Sequence, residues 1–188
     1  AADDGVSGRE IWKLDAAGTL ALAADLNSTF GSMPVNLTVF EGELYFEAFD
    51  NDFHQQVWKT NGTPGNLVQL TNSTFGGFPF TQELTAFNGK LYFTFETSTH
   101  GRELWQTDGT PGGTSMVVDL NSNGAFGSDP KSFTVMGNAL YFAANDGVSG
   151  TEIWKLPGPT VNAITSIDEN GIATVSGSFV DPGSLDVH

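Results

Sequence analysis

Residues 101–121 read GRELWQTDGTPGGTSMVVDLN, and the reading of this stretch decides the fold. Apolar and polar residues alternate through Trp105, as in a strand, and Asp108-Gly109-Thr110-Pro111-Gly112 is turn chemistry. Met116 to Leu120 then supplies a second strand-like run. Parts of the stretch recur as GREIWKLDAAGTLALAADLN from Gly8, QQVWKTNGTPGNLVQLTN from Gln55 and GTEIWKLPG from Gly150. Trp12, Trp58, Trp105 and Trp154 are therefore one position repeated, at intervals of 46, 47 and 49 residues. A second motif falls between them: GELYFEAF at Gly42, GKLYFTFE at Gly89 and NALYFAAN at Asn138. It holds all three tyrosines of the chain, Tyr45, Tyr92 and Tyr141. A fixed period in this range marks a repeat architecture, whose units bury their faces on one another.

Working outward, short strand-like runs divided by Gly, Pro, Asn and Asp give an all-β chain, and no segment carries a helical period. The sequence predicts 13 strands: two before Asn27, four in each of the next two blocks, and three in the last. Asn88-Gly89 is a strong hairpin signal, because a type I′ turn needs positive φ at both central residues. Four strands in about 47 residues is the content of one propeller blade. The expected fold is thus a β-propeller-type array of three four-stranded blades plus a partial one, incomplete in this chain. Each tryptophan and the Ile, Val or Leu before it lie on opposite strand faces, so both faces are expected to be buried between blades. A loop also repeats, as FGSMP at Phe30, FGGFP at Phe75 and FGSDP at Phe126. Ala1 falls in mid-repeat, since AADDGVSGREIWKL nearly copies AANDGVSGTEIWKL from Ala143, and the array is expected to begin upstream. Residues 1–158 form the repeat region. Residues 159–188 change composition, lacking Trp, Tyr, Lys and Arg, and read as a linker and two further strands.

The 22 acidic against 7 basic residues give a net charge of −15, which repels nucleic-acid phosphates and anionic lipid surfaces. Cations, neutral glycans and other proteins remain as partners. There is no cysteine, hence no disulfide framework, thiolate metal site or Cys nucleophile. No apolar run approaches the ~18 residues of a membrane span.

ELWQTDGTPGGT, with its LYF partner strand, resembles the ELWxxDGT repeat of large secreted or surface-attached bacterial proteins. The match is full at Glu103 to Thr110 and partial at Gln56 to Thr63 and Glu10 to Thr19, and the turn is lost after Trp154. The tail, IDENGIATVSGSFVDPGSLD, resembles the opening strands of immunoglobulin-like modules in bacterial adhesins. The resemblance implies propeller-type blades, an extracellular or cell-surface location and no established catalytic activity. The expected role is a structural or adhesive segment that associates with other copies or with the rest of a larger chain, completed by strand donation. Glycan binding at an inter-blade pocket is the alternative, and a fragment of a propeller hydrolase comes third.

Candidate site residues follow from the repeat. Asp108, Asn61 and Asp15 sit in the turn after each Trp strand and are expected to accept backbone N–H hydrogen bonds two residues on. Sialidase-type chemistry would need an arginine triad, whereas Arg9 and Arg102 are the same repeat position. Glu10, Glu103 and Glu152, with Gln56 in their place in the second repeat, precede their Trp by two. A glycosidase needs two carboxyls about 5–10 Å apart. The expected use of these residues is instead to accept from a backbone N–H or a Trp N–H of the adjacent blade. Asp4, Asp50 and Asp146, with Asp52 beside them, lie in oxygen-rich stretches that are expected to be solvated turns, with Ca²⁺, which takes six to eight oxygen ligands, as the alternative there. No other cofactor is implied. Phe30, Phe75 and Phe126 are the candidate glycan contacts, and their exposure would separate a lectin from a scaffold.

Overall fold

The computed structural model describes residues 1–159, apart from 4, 7, 28, 29, 75–83 and 123–125. Both tail strands, Asp4 and Phe75 fall outside the described residues. Fourteen strands form four antiparallel sheets, with no helix among the described residues. Sheet I comprises β1 (Ala2–Asp3), β2 (Arg9–Leu14) and β3 (Leu20–Ala24). Sheet II is β4 (Val35–Phe40), β5 (Glu43–Phe49), β6 (Gln55–Thr60) and β7 (Leu67–Gln69). Sheet III is β8 (Thr85–Phe87), β9 (Lys90–Thr97), β10 (Gly101–Thr107) and β11 (Ser115–Val118). Sheet IV is β12 (Lys131–Val135), β13 (Ala139–Asn145) and β14 (Thr151–Pro157). Each sheet is a meander, its strands paired in chain order.

The expected strand count is corrected by one. The additional strand is β1, where Ala2 pairs with Glu10 and Asp3 with Arg9. This two-residue strand is the counterpart of Ala144 and Asn145, which pair with Glu152 and Thr151 in sheet IV. The repeat thus extends to the pairing itself.

Two kinds of turn set the register. Glu41-Gly42 and Asn88-Gly89 have positive φ throughout (49° and 80°, 49° and 70°), the geometry that keeps a two-residue hairpin in step with strand twist. A bulge was not foreseen: the register of β4 on β5 shifts between Val35 and Thr38, and that of β12 on β13 between Lys131 and Thr134. At both places a non-glycine residue takes positive φ, Asn36 at 55° and Ser132 at 60°.

Three apolar clusters form the core, and each lies between successive sheets. Ile11 of sheet I meets Phe46, Ala48, Trp58 and Leu67 of sheet II. Phe40, Tyr45 and Val57 of sheet II meet Leu91, Phe93, Phe95 and Trp105 of sheet III. Phe87, Tyr92 and Leu104 of sheet III meet Leu140, Phe142, Trp154 and Leu156 of sheet IV. Each sheet therefore has a front, turned to the following sheet, and a back, turned to the preceding one. The front carries the tyrosine of LYF and the residue before the tryptophan. The back carries the Leu and Phe of LYF and the tryptophan itself. This is strand alternation used on both faces.

The tryptophans depart in degree from the expected burial. Trp154 is buried, while Trp12, Trp58 and Trp105 are half-buried, and none is exposed. The expectation of two buried faces holds in sheets II and III and fails at the ends. Ile153, the residue before Trp154, is 80% exposed, and Leu14 of sheet I is 68% exposed. No described sheet covers the front of sheet IV or the back of sheet I.

Candidate functional site

The repeated Glu/Gln position turns out to be a buried clasp. Glu10, Gln56 and Glu103 are fully buried, and each grips the segment that leads from its own sheet to the next. Glu103 Oε1 accepts from the Ser128 amide at 2.8 Å, while Oε2 accepts from the Ser128 hydroxyl and from the Leu120 amide at 3.2 Å. Glu10 does the same with Ser32, at 2.6 Å from both its amide and its hydroxyl, and with the Leu26 amide at 3.3 Å. Gln56 substitutes an amide for the carboxylate. Its Oε1 accepts from the Ser73 amide and the Thr71 hydroxyl at 3.0 Å, and its Nε2 donates to the Ser73 carbonyl at 2.7 Å.

The serine then reaches onward. The Ser32 carbonyl accepts from the Phe49 amide at 2.8 Å and the Ser128 carbonyl from the Asn145 amide at 2.9 Å, both in the following sheet. In the middle repeat the Ser73 hydroxyl donates to the Glu96 carbonyl at 2.9 Å. One side chain, one serine and one backbone group thus join each sheet to its successor. Burial pushes the Glu10 and Glu103 carboxyls above the usual range, and the serine hydrogen bonds pull them part of the way back.

The loop motif explains the approach. Gly31 and Gly127 have positive φ, 78° and 66°, and a Cβ on either would collide with the backbone of Arg9 or Arg102. Gly127 also bridges Arg102 in parallel. In FGS, the glycine allows the segment to lie on the Trp strand, and the serine fills the clasp.

The expected partners of the Glu position are therefore corrected in part. The backbone N–H groups come from the connecting segment, and no Trp N–H is used. The indole N–H groups of Trp58 and Trp154 donate instead to the Ala48 and Ala144 carbonyls, at 3.2 and 3.1 Å. Those of Trp12 and Trp105 are buried and make no hydrogen bond to the described residues. Glu152 is exposed and has no clasp among the described residues.

The turn residues close Asx turns. Asp108 Oδ1 accepts from the Thr110 amide and hydroxyl at 2.9 and 2.7 Å, which holds its carboxyl below the usual range. Asn61 accepts from the Thr63 amide at 2.9 Å, and Asp15 from the Ala17 and Thr19 amides. Asp50 Oδ1 accepts from the Asp52 and His54 amides, and Asp146 Oδ1 from the Val148 and Ser149 amides. Among the described residues no three His, Asp or Glu side chains come together as a metal site.

The two described aromatic loop positions are exposed. Phe126 is 89% exposed and Phe30 63%. Phe30 carries Phe53 over it at 5.4 Å between ring centroids. Phe126 borders instead a cavity of about 400 Å³ between sheets III and IV, lined also by Glu96, Arg102, Asp129, Lys131 and Thr151. Arg102 is fixed there by Glu96 at 3.0 Å and Asp129 at 3.2 Å. Arg9, its repeat counterpart, is exposed.

One further buried group escaped the sequence reading. Glu47 of β5 is buried, with Asn36 and Gln55 donating to it. Burial raises its carboxyl to about 8. Its repeat counterparts are Thr94 and Ala143, so no periodic signal marks it.

Comparison with known proteins finds no matching family model and no matching curated protein.

Proposed function

We propose that the chain is a propeller-type repeat segment of an extracellular or cell-surface protein, with a structural and adhesive role and no catalysis of its own. The observation that carries this reading is the clasp. The carboxylates that recur with the repeat, Glu10 and Glu103, are fully buried, and both oxygens of each hold the chain's own backbone and serine. A catalytic carboxylate must reach substrate, and these are spent on joining sheets. Four meander sheets stacked front to back also fit the packing expected of successive blades.

Adhesion is tested with beads carrying the chain, drawn across glycan-coated and protein-coated surfaces under flow. Retention above albumin-coated beads is expected. Turnover of aryl glycosides that disappears in Glu103→Gln would overturn the non-catalytic reading.

A second reading, glycan binding, is favoured by the bare Phe126 ring beside the polar cavity. Sugar faces stack on aromatic rings, while charged pairs such as Arg102–Asp129 offer donors and acceptors together. The net charge of −15 favours a neutral glycan over an anionic one. Saturation-transfer NMR with neutral disaccharides reads this directly. Signal lost in Phe126→Ala and kept in Phe30→Ala is the expected pattern.

A further inference from the structure

We infer that Asn61 is a site of spontaneous deamidation, and that the aspartate formed there gives the second repeat the turn of the third and faces Lys13 of sheet I. The inference goes beyond the adhesive reading and does not depend on it. Asn61-Gly62-Thr63 and Asp108-Gly109-Thr110 are the same turn in two repeats. Asn61 Oδ1 accepts from the Thr63 amide at 2.9 Å, as Asp108 Oδ1 does from the Thr110 amide. The Gly62 amide donates to Thr60 Oγ1 at 3.0 Å, as the Gly109 amide does to Thr107 Oγ1. Gly62 and Gly109 both take positive φ, 77° and 88°. The two turns differ in that the second repeat has an amide where the third has a carboxylate.

The turn favours attack of the Gly62 nitrogen on the Asn61 side-chain amide. An Asx turn folds that amide back over the next peptide and so brings the reacting groups together. The Thr63 N–H polarises its carbonyl and is placed to hold the negative charge that develops on Oδ1 during attack. Gly62 has no Cβ to obstruct the approach, and Asn61 is exposed, so hydroxide and water reach the site. Hydroxide takes the Gly62 amide proton, the nitrogen bonds to Asn61 Cγ, and the side-chain nitrogen leaves as ammonia. Water then opens the resulting succinimide at either carbonyl, to aspartate or isoaspartate. In net terms an amide and a water become a carboxylate and an ammonium ion. Asn88-Gly89 is the internal contrast. Asn88 is also exposed, but both residues take positive φ in a hairpin turn. No Asx turn among the described residues holds its side chain over the Gly89 peptide.

The third repeat shows that the aspartate fits. Lys59 Nζ of sheet II lies 3.7 Å from where a Gly109 Cβ would stand, and Lys13 Nζ of sheet I is equally close to that position on Gly62. Glu43 is the main cause that raises the Lys59 amine above its usual value, and the charge of Asp108 adds to it. A carboxylate at position 61 would meet Lys13 in the same way. It would also accept from the Thr63 hydroxyl, as Asp108 does from that of Thr110. Deamidation thus adds an attraction between sheets I and II that sheets II and III already have.

Peptide mapping by mass spectrometry tests the reaction on the full chain, aged at mildly alkaline pH. Position 61 is expected to deamidate about ten-fold faster than position 88 in the native chain. In concentrated urea the two Asn-Gly pairs are expected to react at similar rates. Equal rates in the native chain, or a slower reaction at position 61, overturn the reactive turn. So does a preference for position 61 that persists unchanged in urea. Asn61→Asp tests the product separately. It is expected to melt above wild type at low salt, with the increment lost in high salt and in the Lys13→Gln background. A variant that melts no higher than wild type, or whose increment survives Lys13→Gln, overturns the pairing with Lys13.

Discussion

The five residues EIWKL occur twice, at Glu10 to Leu14 in sheet I and at Glu152 to Leu156 in sheet IV. The two copies bury opposite halves. In sheet I, Glu10 and Ile11 are buried while Leu14 is exposed; in sheet IV, Glu152 and Ile153 are exposed while Leu156 is 1% exposed. The local sequence is the same, and both copies are strands paired with their neighbours. What differs is which side has another sheet against it. Strand formation is thus settled locally, by alternation and turn chemistry, whereas burial and the state of the glutamate are settled by the neighbour.

The sharpest way to break this comparison is to truncate the equivalent residue in a covered and an uncovered sheet. Leu104→Ala removes a side chain with 0% exposure between sheets III and IV. It is expected to cost about 3–5 kcal/mol by denaturant titration. Ile153→Ala, at the same repeat position, is expected to change the stability of dilute protein by no more than about 0.5 kcal/mol. Equal losses would show that the uncovered face is packed after all.

The clasp gives the next effect. Glu103→Ala leaves the Ser128 hydroxyl and the part-buried Leu120 amide without their acceptor, while the Ser128 amide keeps the Arg102 carbonyl at 2.9 Å. A loss of about 2–4 kcal/mol is expected. Glu152→Ala is expected to be neutral within about 0.5 kcal/mol. Thermal melts of the two variants side by side decide it, and a matching drop would mean that Glu152 has a partner of its own in solution.

The smallest effect depends on pH and lies inside the covered half. Glu47 is raised to about 8 when folded, from an ordinary value of 4.5. The folded state therefore holds a proton that the unfolded state has released over that interval. Stability from this group is fully present below about pH 4.5 and is lost as pH rises through about 8. Glu47→Gln removes the loss. Its own amide must face one of the two donors, Asn36 or Gln55, so the net gain at pH 9 is expected to be about 2 kcal/mol, vanishing near pH 4. Melting temperatures of both proteins across this range test the sign. Parallel curves would mean that Glu47 is ionised in the fold.

The same contrast explains what the sequence disclosed. The Trp and LYF strands were legible because alternation and the Glu41-Gly42 and Asn88-Gly89 turns are local signals. The bulges at Asn36 and Ser132 were not, since neither residue is the glycine that usually marks positive φ. Strand β1 was readable in principle, because Ala2 and Asp3 copy Ala144 and Asn145. The Glu position was seen to repeat, yet its partner serine lies 22, 17 and 25 residues further on in the three repeats. No fixed spacing ties glutamate to serine, so the pair became visible only in space. The FGS loop was noticed as a motif, but the division of labour between its exposed ring, close-packed glycine and buried serine depends on contacts far along the chain. Glu47 had no periodic signal, being Thr94 and Ala143 elsewhere.

That unequal separation has a consequence for how such a chain diversifies. The sheets are held at the glutamate, the leucine amide it grips, and the Gly-Ser pair, and the separation in sequence between that leucine and that glycine is not fixed by the joint. Residues can be inserted or removed there while the joint re-forms at the same two anchors, because lengthening a loop costs little closure entropy. In the first and third repeats, the residues between the gripped leucine amide, Leu26 or Leu120, and the Phe-Gly pair before the serine are therefore the natural grafting point of the molecule. New sequence placed there would change the rim and leave the stack as it is.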